Sequence, residues 1–525
     1  MPHNRLLRNV SAEAGARVLY LATRFFIPPF VLAHIGMQAY GLYGTVFILV
    51  AYFGVSAIGF SNAYVKHVAH YAAAGETARA NRLLSSGFTL ACVLGLAGFS
   101  GVVLLWPRVS VWMKVPATMA GDARFLTFLI TGVFFVYLAL SVHRDVLTGL
   151  QRIALVQKIW IASFVAETAL IFGLVGSGFG LRGLGIAFLV RNSVDLGAQW
   201  WHARKRVPWL RIRPTVPDRE SIRLLAGFGG IVQVNSLLAI FLGSVERVIA
   251  TPLLGLGAAG LLDLGDRLPG MATSIPSAFA SSVLPSAADM HAGAGELRED
   301  RIRELYLSTA RYMNSVSGVL FAFLCFASAP CLVFWLGKPQ PDAARLLVFF
   351  ALAAQVHLLT GPGTSILKAC GRPAMEFHYS IANCVALTIL VPASRLLLGH
   401  WEVAGIAGAV TLSTVLSASW FIAQANRALG VRALRFAREV LLPGLLPYAV
   451  AALCIGPFAS LASAGNRLHT ALTLAPLGSF YLLASAGLLL RLAATAQEQA
   501  AVRTTFARFR LRPRVSPPAT ADATA

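Results

Sequence analysis

Apolar residues run along this chain in long blocks separated by short polar stretches. A helix needs about 20 mostly apolar residues to cross a bilayer. Fourteen blocks reach that length: 11–35, 41–65, 83–105, 122–142, 155–176, 183–201, 224–244, 257–288, 306–330, 343–367, 377–394, 403–425, 441–459 and 469–490. Charges interrupt the first, sixth and eighth. The blocks are too long and too uniformly apolar for the alternating strands of a membrane barrel. The pattern predicts an all-α integral membrane protein of about 14 transmembrane helices. No segment reads as a cleavable signal, because Arg17 and Arg24 interrupt what would be its apolar core.

Composition agrees. Of 525 residues, 57% are hydrophobic and 13% charged, against roughly 25% charged in soluble domains. Mean hydropathy is +0.69. The net charge of +22 raises nucleic acid as a partner, but position answers it. With the N-terminus inside, the internal segments hold 29 of the 44 Lys and Arg and the external segments hold 7. That is the positive-inside pattern, with both termini cytoplasmic. No nucleic acid is needed to explain the charge. The six cysteines form no CxxC or CxxH cluster, which argues against a disulfide framework and a metal site. There is no GxxxxGK[ST] loop for a nucleotide, and no cofactor is expected. The longest internal loop, 202–223, is far too short for an extramembrane catalytic domain. A soluble enzyme, a DNA-binding protein and a secreted scaffold are excluded, which leaves a multi-span transporter, a channel or an unusual intramembrane enzyme.

Short motifs recur. Leu147-Thr-Gly-Leu-Gln-Arg152 resembles Leu367-Lys-Ala-Cys-Gly-Arg372, and Leu184-Gly-Ile-Ala187 resembles Ala404-Gly-Ile-Ala407, both at an offset of 220. Gly41-Leu-Tyr-Gly44 lines up with Gly257-Ala-Ala-Gly260 at 216. Six spans separate the copies. An even number makes the two halves parallel, related by an axis along the membrane normal. The expected organisation is a six-helix bundle over 1–201, a basic cytoplasmic linker over 202–223 and a second six-helix bundle over 224–425. Two additional helices follow over 426–490, then a basic tail over 491–525.

Ionisable groups inside spans are costly and mark functional sites. Glu13, Arg17, Tyr20 and Arg24 form one stripe on the first span, and Pro28-Pro29 is expected to kink its outer end. The sixth span carries Arg191, Asp195 and Gln199 on one face, where the first two can pair. The eighth carries Asp263, Asp266 and Arg267, then Gly270, Ser274, Ser277 and Ser281. Glu167 sits midway along the fifth span with no local basic partner, and Arg311 lies in the ninth. Arg17, Arg24, Arg191, Arg267 and Arg311 come from both halves and are expected to converge on a central cavity. The planar guanidinium fork suits phosphate and carboxylate, so the expected ligand is a pyrophosphate or an acidic sugar. Glu167, Asp195, Asp263 and Asp266 are the candidates for coupling to an ion gradient.

The sequence resembles the polysaccharide flippase family of the multidrug, oligosaccharidyl-lipid and polysaccharide exporter superfamily. The resembling residues are Arg24, Gly41-Leu-Tyr-Gly44, Gly59-Phe-Ser-Asn-Ala63, Lys66-His-Val-Ala69 and Gly75-Glu-Thr-Ala-Arg-Ala-Asn-Arg82. Leu147-Thr-Gly-Leu-Gln-Arg152, Asp263-Leu-Gly-Asp-Arg-Leu268 and Pro285 are similar too. The resemblance implies two pseudo-symmetric six-helix bundles in a V around a cavity that opens to alternate sides. It implies a glycan on a polyprenyl diphosphate as substrate, moved across a bacterial inner membrane within the lipid. Candidate protein partners are a polysaccharide polymerase and glycosyltransferases. Two other readings stay open: a flippase for a lipid-linked peptidoglycan precursor, and a cation-coupled multidrug antiporter of the same superfamily. The antiporter would want an acidic cavity, and the surplus of arginine argues against it.

Overall fold

The structure, a computed structural model, describes residues 3–227, 237–277, 298–372, 374–463 and 466–492. The expected tail beyond Leu492, Ser281 and Pro285 therefore lie outside the described residues, as does the Glu13 side chain. The described residues are mostly helical, and no strand occurs among them.

The chain opens with α1 (His3–Ala73), which is two helical arms joined at Gly36. Pro28 and Pro29 stay within the first arm, and helical geometry is lost only at Gly36, whose φ of 79° and ψ of 172° suit a residue without Cβ. The expected break therefore falls seven residues beyond the second proline. The first half continues with α2 (Thr77–Trp112), α3 (Ala120–Leu140), α4 (Val142–Gly149), α5 (Ile153–Gly176) and α6 (Gly180–Arg206). After α7 (Arg219–Gly227), the second half comprises α8 (Val245–Leu254), α9 (Leu256–Ala272), α10 (Arg298–Phe326), α11 (Ser328–Leu336), α12 (Pro341–Leu358), α13 (Thr360–Ala369), α14 (Ala374–Leu398) and α15 (Val403–Ala428). The additional pair is α16 (Ala433–Phe436) running through a π-turn into α17 (Leu442–Cys454), then α18 (Ala459–Ser463) and α19 (Arg467–Leu492).

By length and apolarity, nine described helices qualify as spans, or ten if α10 and α11, bent by 76°, are taken together. The remaining expected spans have physical reasons for missing that count. The two arms of α1 are scored as one unit, Gly15–Gly54. The charges along α6 exclude it. The seventh and eighth spans each run into residues outside the described set.

The two halves repeat one backbone design. Gly255 has φ 88° and ψ −179°, the conformation of Gly36, and each residue opens a helix at the same place in its half. This equivalence has an offset of 219 and places Gly41 opposite Gly260. The sequence match at 216 is thereby corrected by three residues and joins the other motifs at 220. The equivalent glycines also touch reciprocally: a Cβ on Gly41 would strike the Leu256 carbonyl, and one on Gly260 would strike the Met37 carbonyl. Met37 and Leu256 are themselves equivalent at 219. The contact is thus self-complementary about the axis between the halves.

Around this point the halves are sealed. One apolar cluster spans both, with Val31, Leu42, Leu126 and Ile130 from the first half and Leu256, Leu264 and Trp335 from the second. Lys114, at φ 50°, reaches across to the Leu253 carbonyl at 2.8 Å. The Trp335 indole N–H donates to the Phe25 carbonyl at 2.6 Å. That carbonyl would ordinarily accept from residue 29, which is a proline without an N–H. The proline pair therefore frees an acceptor for a bond between halves.

The segment 202–223 is ordered. Its apolar residues Val207, Leu210 and Ile212, with Leu225 of α7, pack into the cluster formed by Tyr64, Val68, Leu83 and Leu84.

Candidate functional site

Along the second arm of α1, Gly41 sits in the seal, and Gly44, Phe47, Ile48 and Ala51 then line a cavity of about 760 Å³ between the halves. Arg17, Tyr20 and Arg24 line it from the first arm, Glu167 from α5 and Arg191 from α6. Arg247 comes from α8, and Asp263, Asp266, Arg267 and Gly270 from α9. The lining holds five arginines against three carboxylates.

The charges are arranged in two groups. In the first half Arg191 pairs with Glu167 at 3.4 Å, and its guanidinium lies 5.4 Å from the centroid of Phe164. Phe164 stacks on Trp160 at 4.7 Å. The expected Arg191–Asp195 pair does not form, because a carboxylate on the neighbouring helix α5 takes the arginine. Arg24 is exposed in the cavity and donates to the Tyr20 hydroxyl at 3.0 Å, and no carboxylate bridges it among the described residues.

In the second half Asp263 is the hub. It accepts from Arg247 at 2.7 Å, from Arg267 and from the Tyr40 hydroxyl of the other half. Arg267 also donates to the Tyr40 hydroxyl at 3.2 Å, and Arg247 reaches Glu246 at 3.2 Å. Such a buried ion cluster persists only because each charge is paired and hydrogen-bonded. Tyr40 makes it a bond between halves, one turn of helix above Gly44.

Two expected residues stand elsewhere. Asp195 faces α3 inside the first bundle, where Tyr137 and Gln199 donate to it at 3.1 and 2.8 Å. Arg311 sits on α10 with its guanidinium 5.3 Å from the Tyr312 ring centroid, and it is not among the lining residues. Conversely, Arg247 belongs to the cavity although its sequence position reads as an external loop. Only its tertiary partner Asp263, sixteen residues on, reveals it. No group of three His, Cys, Asp or Glu side chains placed to hold a metal occurs among the described residues.

Two parallel bundles sealed together at one end, with a charged cavity between them, have the architecture of a polytopic membrane transporter. Residues 7–291, more than half of the chain, match the family described as polysaccharide biosynthesis protein. The chain belongs to that family, and its fold is that of the flippases and transporters of the larger exporter superfamily. It is 22% identical over 354 residues to "Uncharacterized membrane protein EpsK" of Bacillus subtilis, covering 65% of this chain and 68% of that protein. Among solved structures, "Lipid II flippase MurJ, inward closed conformation" superposes with a TM-score of 0.68 at 12% identity, over 92% of this chain and 98% of that one. An inward-facing multidrug transporter of the MATE family and MOP superfamily gives 0.66 at 14% identity, over 78% and 94%. An outward-facing form of such a transporter gives 0.52 at 14% identity, over 81% and 94%.

Proposed function

We propose that the protein flips a polyprenyl-diphosphate-linked oligosaccharide across the bacterial inner membrane during polysaccharide assembly. The observation that carries this reading is the surplus of guanidinium groups in the cavity, together with membership of the polysaccharide biosynthesis family. Arg24 and Arg17 face open space with forked donors that match phosphate oxygens. Arg191, Arg247 and Arg267 supply further positive charge behind them, and Asp263 holds the latter two in place. A cavity of about 760 Å³ holds the diphosphate and the first sugars, while the polyprenyl tail stays in lipid between the halves. A cation-coupled drug antiporter is disfavoured, because Glu167 and Asp263 are both engaged by arginine.

Both termini and 202–223 face the cytoplasm in this reading, so the seal at Gly41 and Gly260 is periplasmic and the resting cavity faces inward. The better superposition on the inward-facing than on the outward-facing MATE form supports that orientation. Transport is then a rocking of 1–201 against 224–425, which breaks the Tyr40–Asp263 link and opens the seal. Residues 426–490 ride on the second bundle. Energy comes from an ion gradient or from consumption of the product by a polymerase and glycosyltransferases. Glu167 is the leading coupling candidate, ahead of Asp195, Asp263 and Asp266, since protonation of Glu167 would release Arg191.

The test is flipping in liposomes. Purified protein should translocate a fluorescent polyprenyl-diphosphate sugar faster than protein-free vesicles and faster than it moves a lipid-linked peptidoglycan precursor. Preference for the precursor would reassign the substrate, and movement of neither by folded protein would remove the flippase reading.

A further inference from the structure

The segment between α6 and α7 lies as an extended strap along α2. The Asn81 side chain brackets it, donating to the Trp209 carbonyl at 2.7 Å and accepting from the Arg211 N–H at 2.8 Å. One turn on, Ser85 Oγ accepts from the Arg213 N–H at 3.1 Å, and after another, Thr89 Oγ1 accepts from the Thr215 N–H at 3.1 Å. The register follows from dimensions. Four residues of helix advance about 6 Å, and two residues of extended chain advance about 6.6 Å. A polar side chain at every fourth position of α2 therefore meets a backbone N–H at every second position of the strap. Pro214 falls at an alternate position, whose N–H would point away from α2. Asp218 closes the strap, accepting from Ser86 at 3.1 Å and from the Ser221 N–H at 3.3 Å at the start of α7.

This geometry fixes the side chains. Leu210 and Ile212 turn toward the bundle, and Arg211 and Arg213 stand exposed on the same face. At the preceding end of α6, Trp200 and Trp201 are 42% and 60% exposed, and the Arg204 guanidinium lies 4.5 Å from the Trp200 ring centroid. Exposed tryptophans at the end of a span sit at headgroup level. The segment 202–223 carries seven basic residues and two acidic ones. One of the two acidic residues, Asp218, is already occupied in holding the strap.

We propose that this strap is a preorganised binding surface for anionic phospholipid headgroups. Arg211 and Arg213 are two residues apart on extended chain, a spacing that lets them engage oxygens of one phosphodiester or of two adjacent headgroups. Trp200 and Trp201 set the depth. A flexible basic loop would lose conformational freedom on binding, whereas here the backbone at 209, 211, 213 and 215 is already held. The surface is separate from the cavity, so it binds annular lipid and not the transported glycolipid.

Full-length protein in detergent, titrated with phosphatidylglycerol or phosphatidylcholine and read by native mass spectrometry, tests this. Wild type should retain phosphatidylglycerol preferentially, with the preference falling as salt rises. The double substitution Arg211→Gln with Arg213→Gln should lower phosphatidylglycerol affinity by roughly tenfold, with an unchanged melting temperature. Arg108→Gln, at the far end of α2, should leave it unchanged. Asn81→Ala, which keeps every charge and loosens the strap, should weaken retention less than the arginine pair does. Undiminished preference in the arginine variant overturns the proposal, as does an equal loss in Arg108→Gln. If phosphatidylglycerol is ignored by wild type, the strap is not a lipid surface.

Discussion

The Phe25 carbonyl, left without its helical donor by Pro29, is taken by the indole N–H of Trp335 from the opposite half. One sequence feature thus does two things. It interrupts the hydrogen-bond ladder of the first arm without bending it out of helical geometry, and it supplies an acceptor to the seal.

Replacing Trp335 by Phe keeps an aromatic ring beside Phe25 and removes the donor. The part-buried carbonyl then has no protein donor, at a cost of up to about 1–3 kcal/mol. The sealed state should lose that much stability. Pro29→Ala restores the helical N–H and should make Trp335→Phe nearly neutral in the double variant. A double-mutant cycle on thermal stability measures this coupling. Independent, additive effects would show that the bond does not contribute to the seal.

The reciprocal glycines give a second expectation. Gly41→Val or Gly260→Val drives a side chain into the backbone of the other half, and overpacking of this kind costs about 1–3 kcal/mol. Only the sealed state bears the cost, so the equilibrium should move toward the state in which these ends separate. A cysteine at Ser274, in the cavity lining, should be shielded from an impermeant thiol reagent on the periplasmic side of wild type. It should become reactive from that side in either valine variant. Unchanged shielding in both would place the opening motion elsewhere.

What the sequence made legible divides along a physical line. Apolar runs of bilayer length and the polar stripe Asp263-Asp266-Arg267-Gly270-Ser274 are local patterns; the described runs are helices, and the stripe lines the cavity as its periodicity places it. Pairings between helices are not local. Arg191 could be read against Asp195, four residues away, but α5 delivers Glu167 to it instead. Arg247 carries no local signal, because only its tertiary contact with Asp263 places it in the cavity. The linker was legible as a charged loop but not as a strap, because its ladder depends on Asn81, Ser85 and Thr89 more than a hundred residues earlier. Two motifs of the repeat fall at 220, and only the glycine motif reads short, at 216. Its error of three residues arose because small residues recur often enough in this chain for a short glycine motif to slide, until backbone angles fixed the register.

The cavity arginines should separate into two classes. Arg24 makes one side-chain bond, to Tyr20, so Arg24→Ala should insert and fold normally yet lose flipping. A charge-assisted bond to substrate contributes about 1.5–3 kcal/mol, which corresponds to at least a tenfold fall in rate, and Arg24→Lys should recover only part of it. Arg267→Ala instead removes one of two guanidiniums from Asp263, and it should lower both stability and flipping. Normal complementation of a deletion strain by Arg24→Ala would remove it from substrate binding.

Strap docking should depend on the charge of Asp218. The Ser221 hydroxyl, aided by the Ser221 N–H and by Ser86, holds this carboxyl below its ordinary range. A depressed folded-state value means that the stabilisation is fully present above the unfolded value of about 3.9 and is lost as pH falls through the lower folded value. Asp218→Asn should therefore melt below wild type at pH 7 and at pH 5.5 by the same margin. The gap should begin to close only below about pH 4 and vanish below the depressed folded value, where both chains carry an uncharged group at this position. Melting of the two proteins followed by intrinsic fluorescence across that range measures it. A gap that closes between pH 7 and 5.5 would show that a group other than Asp218 controls the strap.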